Sequence, residues 1–247
     1  MKFKLLTLNL WRYYEWDKRK DKLISFLKKQ DVEFILFQEA AFDERSKYKN
    51  QVHEINTQLN YNQSEYVKLN NMNKWHNSPI DWNMNFGFGI LSKSKIIKSE
   101  LVLLQPVEKD KNYGFVHNLV ETSSGKVDLI NVHFENTNIG AKEHLKKTLD
   151  WCKKKKIYPI IAGDFNIKLI DDINELAKEY EISYNVKPYI SFYPTKHSHD
   201  KQPIILDYII AHKTKFKINK IKCFKTKISD HKPIIAEIEI FNKINKN

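Results

Sequence analysis

The apolar runs of this chain are short, and one after another they end on polar side chains. "YPIIAGDF" (Tyr158–Phe165) drives toward Gly163 and delivers Asp164, with Asn166 two residues on. "LLTLN" ends on Asn9, "FILFQE" on Gln38 and Glu39, and "LINVH" on His133. "IILD" carries Asp207, and "SDH" sets Asp230 and His231 just before the last apolar run. Short runs rich in β-branched and aromatic residues are the pattern of buried strands. A single polar ending is a surface residue or a turn that caps itself. A whole series of them predicts strands whose ends converge, because sheet proteins gather their ligands where loops from several strands meet.

Seven strands are expected: 3–10, 32–39, 86–93, 125–134, 158–165, 204–211 and 231–241. Helical periodicity separates them. Residues 141–156 place Ala141, Leu145, Leu149 and Cys152 on one face, and 171–182 place Ile173, Leu176, Ala177 and Tyr180 on one face behind an acidic start. Two shorter helices are expected at 22–27 and 52–59. Alternating strands and helices predict an α/β or α+β sandwich. Residues 60–85 and 185–203 read as loosely organised, and no linker or repeat divides the chain. The expectation is one domain over 1–241 with a polar tail at 242–247.

Charge narrows the partners. Lys+Arg of 42 against Asp+Glu of 30 gives +12, which favours polyanions such as nucleic acid. An abundance of lysine, asparagine and isoleucine attributes part of that excess to composition alone. Cys152 and Cys223 form no CxxC pair, so neither a zinc knuckle nor a disulfide scaffold is indicated. The N-terminal apolar patch is too short for a secretory signal, and no run reaches the length of a membrane span. A cytoplasmic, monomeric protein is the expectation.

The polar endings share one chemistry. Glu39, Asp164, Asp207 and Asp230 are carboxylates, Asn9 and Asn166 are amides, and His133 and His231 are imidazoles. Oxygen-rich sets without thiolate select hard cations, Mg²⁺ with Mn²⁺ as substitute. Carboxylates left over can orient histidines or activate water, as hydrolysis of a phosphate ester requires.

Taken together, "TLNLW", "FQE", "GFGILSK", "NVHFEN", "AGDFN", "LDYII" and "SDH" resemble the ordered signature of the endonuclease/exonuclease/phosphatase superfamily, with its deoxyribonuclease I-like fold. The resemblance runs from Asn9 to His231. It implies a four-layer α/β sandwich, two packed β-sheets flanked by helices. It also implies Glu39 as the principal metal ligand, with Asn9 and Asp230 assisting. Asp164 would position or deprotonate water, Asn166 would hold a phosphate oxygen, His231 paired with Asp207 would stabilise charge, and His133 would be a second donor. Whether Asp164 or His231 takes the proton stays open. His133 stands where abasic-site endonucleases carry a tyrosine, and the W-x-D-R segment of inositol polyphosphate phosphatases is missing. "HFEN" and "GDFN" are similar to the forms in tyrosyl-DNA phosphodiesterases and poly(A)-trimming nucleases.

Trp75 and Trp82, and in a second loop Tyr193, are candidates for stacking on bases, with Lys74 and His76, or Lys196, His197 and His199, beside them. The expected function is a Mg²⁺-dependent nucleic-acid phosphodiesterase. The rivals are a 5′-tyrosyl-DNA phosphodiesterase, a phospholipid or sugar-phosphate phosphoesterase, and a non-catalytic nucleic-acid-binding module.

Overall fold

The computed structural model of the chain describes residues 1–43, 50–75, 78–108, 111–195 and 200–241, and only the backbone of 71–75 and 78–83. The side chains of Lys74, Trp75 and Trp82, together with His76, Lys196, His197, His199 and the 242–247 tail, lie outside the described residues.

Two six-stranded sheets pack face to face. The first orders β11 (Phe216–Cys223), β12 (Ile234–Ile240), β1 (Lys2–Asn9), β2 (Phe34–Asp43), β4 (Ser78–Ser92) and β3 (Gln63–Trp75). The second orders β5 (Lys95–Leu104), β6 (Tyr113–Thr122), β7 (Gly125–His133), β8 (Ile160–Asp164), β10 (Asp207–His212) and β9 (Tyr180–Ile182). Phe3, Leu5, Phe34, Leu36 and Ile90 from the first sheet meet Val127, Leu129, Ile160, Ala162 and Ile209 from the second in the central core. Outside the first sheet lie α1 (Trp16–Lys28) and α2 (Gln51–Leu59), covering Leu6, Leu8, Ile35 and Phe37. Outside the second lie α3 (Asn138–Lys155) and α4 (Ile170–Leu176), covering Ile130, Val132 and Ile161. A one-turn α5 (Ser183–Val186) follows β9. The four-layer sandwich is the observed architecture.

The pairing explains why polar endings converge. β1 and β2 run parallel, with Asn9 beside Gln38, and β7 and β8 run parallel, with His133 beside Asp164. Parallel neighbours need a crossover, which α1 and α3 supply. The C-terminal ends of β1 and β2 thus lie together, as do those of β7 and β8, and the Asn9–Asp164 hydrogen bond brings both pairs to one edge. β10 runs antiparallel to β8 with Asp207 opposite Asp164, so its first residue arrives at the same edge. β12 runs antiparallel to β1, with Ile234 opposite Thr7, which brings the preceding Asp230 and His231 there too.

A buried polar layer joins the sheets beneath this edge. Gln38 Nε2 donates to Asn131 Oδ1 at 2.6 Å and to Thr7 Oγ1 at 3.0 Å. Asn131 Nδ2 donates to the carbonyls of Phe37 and Gly89 at 3.0 and 3.1 Å. Gln38, expected among the functional endings, is thus a tie between the sheets.

Several expectations are corrected. Within residues 60–85, read as loose, Gln63–Trp75 form β3 and 78–85 the first half of β4, paired antiparallel. β5, β6, β9 and β11 were not expected at all. The helix expected over 171–182 stops at Leu176, and Tyr180–Ile182 pairs with β10. His231 precedes the last strand instead of opening it, in an isolated bridge to Phe192.

Candidate active site

Glu39 reaches the site through a β-bulge. The β2–β4 pairing passes from Phe37 opposite Gly89 to Ala40 opposite Gly87, and Glu39 takes a left-handed φ of 48°. An extra residue in one strand breaks the alternation of sides. Gln38 stays between the sheets while Glu39 turns toward the strand ends. On β8, Gly163 adopts φ 144°, and a Cβ there would fall 2.1 Å from the Val132 carbonyl oxygen. Only glycine lets β8 approach β7 so closely just before Asp164.

Asp164 is the centre. Its Oδ2 accepts from Asn9 Nδ2 at 3.1 Å and has His133 Nε2 at 3.7 Å and His231 Nε2 at 3.8 Å. Its Oδ1 accepts from the Asn166 backbone N–H at 3.1 Å. Asn166 stands at φ 53°, a left-handed conformation that asparagine tolerates better than most residues. His231 Nδ1 is 2.8 Å from Asp207 Oδ2, and the Phe192 ring packs 5.0 Å from the imidazole. This hydrogen bond turns the opposite ring nitrogen toward Asp164. Asp207 Oδ1 is buried and has no hydrogen-bond partner among the described residues.

The electrostatics sort these groups by role. Burial, reinforced by Asp207 and Glu39, pushes the Asp164 carboxyl up to about 7 against the opposing pull of His231 and the Asn9 hydrogen bond. Burial would discharge His231, but Asp207, Asp164 and the Asp207 hydrogen bond outweigh it and raise the imidazole to about 10. Burial does prevail at His133, which falls to about 4 despite Glu39 beside it. At neutral pH one histidine is therefore a cation and the other neutral. Burial also opposes ionisation of Glu39, yet Arg12, His133, Lys111 and His231 hold it below the ordinary carboxylate value. Asp230 is raised by burial and by Glu39.

Four carboxylates thus crowd one edge, and a divalent cation would relieve that crowding. The donor set fits a hard ion: Glu39, Asp164 and Asp230 offer oxygen, and Cys152 and Cys223 pack elsewhere, against the outer and central cores. Ligand atoms of Asp164, Asp207 and His231 also lie within 4.8 Å of one another. There, however, Asp207 Oδ2 and His231 Nδ1 already engage each other.

All eight polar endings named for catalysis or metal binding come to this edge, with two refinements. Asn9 Oδ1 accepts from the Trp11 N–H at 2.9 Å while its amide holds Asp164, so Asn9 orients the carboxylate. Asn166 Nδ2 donates to the Phe134 carbonyl at 2.9 Å. Tyr193 stands at the margin, its N–H on the Asp230 carbonyl at 3.1 Å and Lys232 Nζ 5.0 Å from its ring.

Sequence reasoning missed Arg12, which bridges Glu39 Oε1 at 2.8 Å and lies 4.2 Å from the Phe86 ring centre. It also missed Trp11 and Tyr14, half-buried with ring centres 4.1 Å apart. One signal was present: only Arg12, Arg19 and Arg45 are arginines among 42 basic residues. A chain that otherwise uses lysine carries two of its three arginines, Arg12 and Arg19, within the ten residues that follow Asn9 and Leu10.

A model of the Endonuclease/Exonuclease/phosphatase family matches residues 6–231. The chain belongs to this family. Its members are generally hydrolytic enzymes acting on phosphoesters. A comparison with curated protein sequences returns no match. Among solved structures, an endonuclease/exonuclease/phosphatase from Beutenbergia cavernae is 14% identical, with TM-score 0.77, covering 97% of this chain and 72% of its own. Sphingomyelinase C from Streptomyces griseocarneus is 14% identical, with TM-score 0.68, covering 96% of this chain and 99% of its own. A humanized D. rerio TDP2 is 16% identical, with TM-score 0.67, covering 96% of this chain and 99% of its own. At these identities the likeness is one of fold. Among the described residues no helix is long and apolar enough to cross a membrane.

Proposed function

We propose that the chain hydrolyses phosphodiester bonds in nucleic acid, with Mg²⁺ or in its place Mn²⁺. The observation that carries this reading is Asp164 Oδ2 between the Nε2 atoms of a neutral His133 and a cationic His231, at 3.7 and 3.8 Å. A carboxylate raised to about 7 is matched to taking a proton from water near neutral pH. Imidazolium His231, held by Asp207, faces the charge that develops on phosphate oxygens, and His133 faces the same space as a neutral group. Asn9 and the Asn166 N–H hold both oxygens of the base. Glu39, with Asp230, would hold the metal, which supplies charge neutralisation and an acidified water when bound.

The +12 balance favours a polyanion over an isolated phosphomonoester. Trp11, Tyr14 and Tyr193 offer aromatic faces beside the site for bases to stack on. The test is Mg²⁺-dependent turnover of labelled single- and double-stranded DNA and RNA, a 5′-tyrosyl oligonucleotide and sphingomyelin. Oligonucleotide cleavage is expected, falling at least about 10²-fold in folded Asp164→Asn. Turnover of the lipid alone would refute the nucleic-acid reading.

A further inference from the structure

Arg19 sits on the inner face of α1, in register with Trp16, Leu23 and Leu27 of its apolar stripe, and is 4% exposed. No described carboxylate oxygen lies within ion-pairing distance of it. Its guanidinium donates instead to three main-chain carbonyls: Nη1 to Ile228 at 2.6 Å, Nε to Tyr14 at 2.7 Å and Nη2 to Arg12 at 3.2 Å. An apolar residue of similar volume there would fill the stripe but leave these three carbonyls without this donor.

The three carbonyls belong to two segments that wall the site. Residues 10–15 follow Asn9 and carry Arg12, the partner of Glu39; Trp11, Arg12 and Glu15 are all left-handed, at φ 56°, 48° and 45°. Non-glycine residues hold such conformations only where their surroundings fix them. Gln51 adds a fourth tie, its Nε2 on the Arg12 carbonyl at 2.8 Å. The second segment runs from Ile228 into Ser229, whose Oγ bonds the Asn9 carbonyl at 2.8 Å, and on to Asp230 and His231. Three carbonyls, one on each of Nε, Nη1 and Nη2, suit a planar fork and not an ammonium.

We infer that Arg19 is a positioning residue that sets the spacing between the Asn9–Arg12 wall and the Asp230–His231 wall, acting on the phosphoester chemistry through them. This rests on the hydrolase reading, so the test carries a readout independent of turnover. Arg19→Lys and Arg19→Gln are made in parallel, with Lys22→Met on the exposed face as control. Each is checked for folding by circular dichroism. Bis(p-nitrophenyl) phosphate hydrolysis gives kcat and KM, and the downfield proton resonance of the His231 Nδ1–H bonded to Asp207 is followed by NMR.

The expected result is a folded variant with kcat lowered about 10²-fold, as displacements near 1 Å produce. KM should be little changed and the His231 resonance shifted, while Lys22→Met matches the native protein. Wild-type kcat and an unmoved resonance in a folded variant would overturn the inference. So would a variant that loses only thermal stability. If the native protein turns over no phosphodiester, the hydrolase reading fails, and the resonance alone decides the role of Arg19.

Discussion

Replacing Asp207 with asparagine keeps the size of the side chain and removes the charge that holds His231 cationic. His231 stands at about 10 in the native protein because Asp207 and Asp164 outweigh its burial. Breaking one side of a buried hydrogen-bonded ion pair costs about 3–5 kcal/mol, which corresponds to about 2–4 pKa units. His231 7% exposed and Asp207 1% exposed leave little solvent to soften that loss. The variant imidazole should therefore titrate between about 6 and 8. The assay is the imidazole carbon-bound proton shift of His231 from pH 5 to pH 10.5, in EDTA so that no divalent ion contributes. Hydrolysis with metal restored should fall about 10²–10³-fold at pH 8, as for loss of one charge-stabilising donor. The sign for stability is fixed by the raised pKa: the contribution of His231 is complete below its unfolded value near 6.5 and disappears as pH rises through about 10. In the variant that decline should end by about pH 8. A His231 titration within half a unit of native, in a folded variant, would refute the reasoning.

Glu39→Gln should weaken Mg²⁺ and Mn²⁺ binding by at least about 10-fold in calorimetric titration, since it removes a full ligand charge from an oxygen site; unchanged affinity would move the metal elsewhere. Gly163→Ala should destabilise by more than about 2 kcal/mol, because its Cβ would strike the Val132 carbonyl at 2.1 Å in a left-handed backbone. Urea unfolding reads that loss directly. His133, lowered to about 4, contributes stability that is present above pH 6.5 and lost as pH falls toward 4, about 3 kcal/mol in all. His133→Gln should flatten the decline of the urea midpoint over that range.

The central strands were legible because each is a short run dominated by apolar side chains, and the site was legible because those runs stop on Asn9, Glu39, His133 and Asp164. β11 was not, since "FKINKIKC" buries only every second or third side chain and its lysines face water. β6 was hidden by His117 and Asn118, polar residues satisfied in the fold by Asp128 at 2.8 Å and Ser99 at 2.8 Å. The long β3–β4 hairpin was hidden by its run of amides, which read as loop. The acidic start of α4 was visible, but its end was not, because "AKEYEI" fits helix and strand alike until β10 pairs with Tyr180–Ile182. The bulge at Glu39 and the inward turn of Gln38 depend on what lies across the strand. Arg12 and Arg19 sit in "WRYYEWDKRK", where charge alone gives no hint of burial.

The Thr7–Gln38–Asn131 layer also gives the two halves of the molecule a way of recognising correct docking. Apolar faces slide over one another with little penalty, so oily surfaces alone would accept neighbouring alignments. A slip of one residue between the sheets would strand the Asn131 amide, which bonds Gln38 and the Phe37 and Gly89 carbonyls across the interface, at about 1–3 kcal/mol for each group left unpaired. Asn9 and Glu39 arrive on one sheet, His133 and Asp164 on the other. Misdocked molecules are thus penalised at the layer just below the place where misalignment would separate the reacting groups.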